Sequence, residues 1–145
     1  MTGEKELLIY IDENIHTGLE ALSTLEKQLE KTDNKIKSSV LESLEEYKKF
    51  EYKCKALLGE TDKKKRQGNL FQVIMSKMSA NQEFAKDNSD THIADMLIQG
   101  YNMGIIDITK KLKKYKKEIT NEVFEFAVDY REMMERRVEE MKEFL

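Results

Sequence analysis

Proline and tryptophan are absent from this 145-residue chain, cysteine occurs once and glycine only six times. Without proline, no residue removes a backbone N–H or clashes with the preceding helical turn. The lone cysteine, Cys54, permits no internal disulfide and no multi-cysteine metal motif. It falls on an apolar helix face, which predicts a small buried hydrophobe rather than a reactive thiol. There are only two histidines, His16 and His92. No nucleophile elbow, P-loop or paired-carboxylate cleft is readable. Net positive charge is also missing: 25 basic against 28 acidic residues give −3, so the whole chain offers no electrostatic footprint for nucleic acid. The opening stretch, MTGEKELLIYIDENIH, lacks the basic start and unbroken apolar run of a signal peptide. A cytoplasmic protein is the expectation.

What the chain has in abundance is charge and helix formers. Charged residues make up 37% and there are eight methionines. Lys, Glu, Leu and Met lose little rotamer freedom in a helix, so an all-α fold is predicted. Over residues 4–31, Leu8, Ile11, Ile15, Leu19, Leu22, Leu25 and Leu29 recur at steps of three and four. At 100° per residue they make one stripe. A turn at Thr32, Asp33 and Asn34 precedes a second stripe over residues 34–58: Ile36, Val40, Leu44, Tyr47, Phe50, Cys54 and Leu58. Gly59 supplies a stop. Folding these two helices at the turn brings Gly18 beside Tyr47, which gives that glycine a packing role.

Residues 60–69 read as a polar loop, 70–84 as a short methionine-bearing helix and 86–90 as a break. A third long helix spans 90–116 and a fourth 120–144, capped by Thr120, with Val123, Phe126, Tyr130, Met133, Met134, Val138, Met141 and Leu145 inward. One domain, 1–145, built as a four-helix bundle, is the expected architecture.

The third helix carries the most apolar stretch, HIADMLIQGYNMGIIDI, with Gly100 and Gly104 four residues apart. His92, Asp95, Gln99, Asn102 and Asp107 interrupt it, so it is not a membrane span, which needs about 20 mostly apolar residues. No strand precedes it, so it is not a dinucleotide loop. Close helix packing at the two glycines is the remaining explanation.

ENIHTGLEAL on the first helix, LEEYKKF on the second and HIADMLIQGYNMGIIDITKKLKKY on the third resemble a family of small, uncharacterised bacterial proteins near the ferritin-like superfamily. The resemblance runs from about residue 7 to the end. It extends to ferritin-like bundles whose third helix carries a Gly-Glu-Asp element. It implies a ferritin-like topology, in which a long crossover, here 60–89 with its short helix, joins helices two and three.

Ferritin-like dinuclear centres need inward carboxylates from four helices, two of them in Glu-x-x-His motifs. Here Glu13 and His16 form one such motif, but they fall about 180° and 120° from the centre of the Leu8/Ile15/Leu22 stripe by the helical step. His92 has Ser89 three residues before it, and Tyr101 and Asn102 follow Gly100 where the related bundles carry Glu and Asp. The ligand set is missing, and no cofactor is predicted. An unconventional site from Glu13, His16, Glu20 and Asp107 is the alternative.

Two features stand out from a solvated bundle. Basic runs at Lys63, Lys64, Lys65 and Arg66 and at Lys110, Lys111, Lys113, Lys114, Lys116 and Lys117 meet at one end if the crossover is ferritin-like. There they would form an anion-binding patch. No aromatic residue platform interleaves the lysines, which argues against single-stranded nucleic acid. Gln99, Asp107, Tyr130 and Arg137 are expected as inward polar groups, Asp107 beside Tyr130 and Gln99 beside Arg137. The expected function is a non-catalytic interaction or regulatory module. A protein partner or self-association as a homodimer would serve it. A metal-binding oxidoreductase or storage protein, or an anion-binding adaptor, are the alternatives.

Overall fold

The computed structural model describes residues 2–59 and 88–145. Four helices account for nearly all of them: α1 (Gly3–Leu29), α2 (Lys37–Leu58), α3 (Asp90–Tyr115) and α4 (Asn121–Lys142). They pack in pairs, α1 on α2 and α3 on α4, with no strand among the described residues. The short helix expected at 70–84 and the basic residues Lys63, Lys64, Lys65 and Arg66 lie outside the described residues.

Caps define the ends. Thr2, Ser89 and Thr120 stand in extended backbone, and each side-chain oxygen accepts the N–H three residues on. α2 has no side-chain cap of its own. The amides just before it are served from another helix. Asp90 of α3 accepts from the backbone N–H of Lys35 (3.1 Å) and Ile36 (3.4 Å) and from Asn34 Nδ2 (2.9 Å). Gly59 closes α2 at φ +69°, a conformation that side chains beyond glycine resist.

These contacts also fix direction. Asp90 places the start of α3 beside the start of α2, so those two helices run parallel. Gly3 lies against Tyr115, and Glu4 Oε2 accepts the Thr120 N–H at 2.6 Å, so α1 begins where α3 ends. Thr91 Oγ1 donates to the Phe144 carbonyl at 3.0 Å, so α4 ends where α3 begins. The order is up, down, down, up. Gly59 and Asn88 therefore lie at opposite ends of the bundle, separated by the length of α2, about 33 Å at 1.5 Å per residue.

The core runs the length of the bundle: Leu7, Ile11, Leu22 and Leu25 from α1, Val40 and Tyr47 from α2, Ile93, Tyr101 and Ile108 from α3, Phe126, Tyr130, Met133 and Met141 from α4. Each such side chain contributes about 1.5–3 kcal/mol through burial. Leu145, expected inward, is 61% exposed: helical structure ends at Lys142, so the periodicity no longer controls its direction. No helix among the described residues is long and apolar enough to cross a membrane.

Candidate functional site

The middle of the bundle, where carboxylate bundles hold their metals, is the first place to seek chemistry. α1 contributes Asn14 and Gly18, α2 Tyr47, α3 Tyr101 and Gly104, and α4 Tyr130 and Met134, all buried. Tyr130 donates its hydroxyl hydrogen to Asn14 Oδ1 at 2.6 Å. The Tyr47 ring stands edge-on to Tyr130 (centroids 5.9 Å, 74°) and tilted to Tyr101 (6.3 Å). Phe50 reaches Tyr130 at 5.3 Å. Rings at these separations and angles attract through their quadrupoles.

The glycines make room for this cluster. A Cβ on Gly18 would collide with the Tyr47 ring. One on Gly104 would lie 2.9 Å from Met134 Sδ and 3.4 Å from Asn14 Nδ2. The first obstacle is a rigid ring between two helices; the second is the movable end of a methionine. Gly100 is buried on the same helix.

The cluster has little acid–base capacity. Burial pushes the Tyr47 and Tyr130 phenols well above their ordinary value and Tyr101 up to about 12. All three stay neutral near pH 7. The hydroxyls of Ser43, Tyr47 and Tyr101 are buried without a hydrogen-bond partner among the described residues.

Beyond the centre, the inward polar groups pair differently from the sequence expectation. Arg137 joins α4 to α2, not to Gln99. Its Nε donates to Glu46 Oε1 at 2.9 Å, Nη2 also meets Glu46, and Nη1 donates to Glu140 Oε2 at 2.8 Å. Gln99 is exposed and donates to Asp95 Oδ1 at 3.3 Å. Asp107 takes the Tyr10 hydroxyl at 2.9 Å rather than that of Tyr130. Folding α3 on α4 in a plane matches heights along the axes but ignores rotation about them. Gln99 is on the outer side of α3, Asp107 faces α1, and Arg137 faces α2.

The four alternative metal ligands do not converge. His16 is half-exposed between Asp12 Oδ1 (3.7 Å from Nε2) and Glu51 Oε2 (3.5 Å from Nδ1). Glu20 is exposed, Glu13 is partly buried, and Asp107 is engaged by Tyr10. Among the described residues no three His, Cys, Asp or Glu side chains are placed to share a metal ion. The dinuclear centre that a ferritin-like fold implies therefore does not fit this interior: aromatic rings, an amide and a thioether stand where it needs carboxylates. Asp12 next to His16 has its carboxyl raised above the usual range by burial. Cys54 donates to the Leu8 carbonyl, and burial, then the nearby Asp12 charge, push its thiol up to about 12, so it is a poor nucleophile.

At the far end of α3, Lys110, Lys113, Lys114, Lys116 and Lys117 are exposed. Lys111 Nζ sits 4.9 Å over the Tyr10 ring and Lys114 Nζ 5.2 Å over Tyr115. Glu6 is hydrogen-bonded by Tyr115, which together with Lys114 and Lys111 holds its carboxyl below the usual range. Lys110, Lys113, Lys116 and Lys117 form no ion pair among the described residues, whereas elsewhere Lys48–Glu45, Lys55–Glu51 and Lys142–Glu139 do.

Asn14, Asp12, Glu46 and Glu51 carry contacts that sequence reasoning missed. Asn14 was detectable: Leu7, Ile11, Asn14, Gly18, Ala21 and Leu25 form their own line of three- and four-residue steps. Glu46 and Glu51 had no such signal. Compared with known protein families, curated proteins and solved structures, the chain matches none of them.

Proposed function

We propose that the chain is a non-catalytic interaction module, of ferritin-like arrangement without a metal centre, that docks an anionic partner through the lysine-rich end of α3. The parallel run of α2 and α3 supports the ferritin-like arrangement. The packed aromatic centre supports the absence of redox metal chemistry. The observation that carries the docking is the group Lys110, Lys113, Lys116 and Lys117, exposed and without an ion-pair partner among the described residues. Like charges three and four residues apart on a helix repel by about 0.2–0.5 kcal/mol per pair. The helix C-terminus offsets part of this. A phosphate or carboxylate partner would offset the rest.

A cation-exchange resin tests it directly. A chain of net charge −3 is retained at neutral pH and low salt only if its positive charge is segregated. Retention is expected, and it should fall sharply in K110Q/K113Q/K116Q/K117Q. Wild-type protein in the flow-through would defeat the docking. The metal-binding alternative has its own test, elemental analysis after loading with iron, manganese or zinc. About one metal per chain, lost in His16→Ala, would favour that alternative.

A further inference from the structure

We infer that the anion met by this end of α3 is the surface of a lipid bilayer bearing anionic headgroups, with Ile106 and Phe124 entering the interface beside the lysines. The inference rests on the docking proposed above and adds the chemistry of the partner. Ile106, Lys110 and Lys113 follow one another at steps of four and three, so they share one outer stripe of α3, and Lys117 follows in the turn just beyond its end. That stripe is about 10 Å long at 1.5 Å per residue. Across the seam with α4, Arg131 Nη1 donates to Thr109 Oγ1 at 3.3 Å. Seven residues, two turns, separate Arg131 from Phe124 and Thr109 from Lys116, in opposite directions along antiparallel helices. Phe124 therefore lies beside Lys116.

Both hydrophobic members are open to solvent, Ile106 at 52% and Phe124 at 41%. The acids nearest in sequence are turned elsewhere or occupied. Asp107 accepts from Tyr10, the Glu118 carboxylate lies by Gly3, and Glu135 pairs with Arg131 at 3.9 Å. Glu125 and Glu122 are rotated about 100° and 160° round α4 from Phe124 by the helical step. From Ile108 to Lys117 the chain contains no acidic residue.

Ammonium groups flanked by exposed apolar side chains fit a bilayer interface, where headgroup charge and acyl boundary lie within a few ångströms of each other. A nucleic-acid backbone would satisfy the lysines and leave Ile106 exposed, and so would an acidic protein surface without an apolar pocket. The stripe also holds no guanidinium to fork onto a base edge or a carboxylate, because Arg131 is engaged by Thr109 and Glu135.

Co-sedimentation with vesicles at about 0.15 M salt, where screening reaches about 8 Å, tests the inference. Phosphatidylcholine vesicles containing phosphatidylserine are expected to bind the chain at least tenfold more tightly than phosphatidylcholine alone. Each lysine near the surface is worth roughly fivefold, so K110Q/K113Q/K116Q/K117Q should lose more than a hundredfold. I106S/F124S should weaken vesicle binding about tenfold and leave cation-exchange retention unchanged, with helicity by circular dichroism confirming that both variants fold. Retention on the resin with no vesicle binding, or vesicle binding indifferent to I106S/F124S, would overturn the lipid partner while sparing the docking. Tighter binding to single-stranded RNA than to the vesicles at equal phosphate would overturn it in favour of nucleic acid. Loss of both retention and vesicle binding would defeat the docking as well.

Discussion

The middle of the bundle and the end of α3 handle polarity in opposite ways. In the middle, polar atoms are neutral and buried: the Tyr130 hydroxyl goes to Asn14, the Tyr47 and Tyr101 phenols remain protonated, and glycines admit the rings. At the end, charge is concentrated on one helix and left to solvent. An interior cannot hold unpaired charge, because its desolvation costs more than packing returns. A surface can, and it then keeps attraction in reserve for a partner. The difference separates residues that specify the fold from residues free to serve a function.

Alkali offers the strongest way to break the contrast. Burial raises the Tyr47, Tyr101 and Tyr130 phenols above the ordinary value of 10.0, so the folded state holds protons that the unfolded state releases. Their contribution is complete below pH 10 and is lost as pH rises above it, at up to about 1.4 kcal/mol per unit per group. Unfolding followed by circular dichroism should therefore coincide with the phenolate absorbance of these three residues. Ionisation of all three within a fully helical chain would show the centre to be wet.

Next in size is Gly18→Ala. Its methyl group meets the Tyr47 ring, so a loss of about 1–3 kcal/mol is expected in urea unfolding. Gly104→Ala meets the movable Met134 thioether and should change stability by less than about 1 kcal/mol, because helix propensity offsets the crowding. Equal losses at the two sites would mean that Met134 is as fixed as the ring.

Hydroxyl deletions give a smaller and more selective effect. Tyr130→Phe leaves the Asn14 amide oxygen buried and unpaired, at a cost of about 1–3 kcal/mol. Tyr101→Phe removes a hydroxyl with no hydrogen-bond partner among the described residues and should be neutral or slightly stabilising. A reversal of that order would reassign the hydrogen bonds of the centre. Smallest of all, replacing Lys110, Lys113, Lys116 and Lys117 by Gln should leave the melting temperature within a few degrees of wild type while changing anion binding. A large fall would make those lysines structural.

Helical periodicity, capping residues and the proline-free composition determined much by themselves: four long helices, the cap at Thr120 and the stop at Gly59 are local consequences of backbone sterics and side-chain hydrogen bonding. The pairing of Gly18 with Tyr47 was equally legible, since a short turn between two helices leaves one register. What sequence could not decide is how each helix is rotated about its axis once three others crowd it. In α1 the line of Leu7, Asn14 and Leu25 is buried beside that of Leu8, Ile15 and Leu22, and it brings Asn14 to Tyr130. The rotations of α3 and α4 send Asp107 to Tyr10 and Arg137 to Glu46, and leave Gln99 in solvent. Hydrophobic burial is non-directional and tolerates either rotation, so a stripe of apolar residues marks a face only to within a residue or so. Hydrogen bonds and ion pairs need their atoms within about 3 Å, and only the packed tertiary structure sets positions that finely.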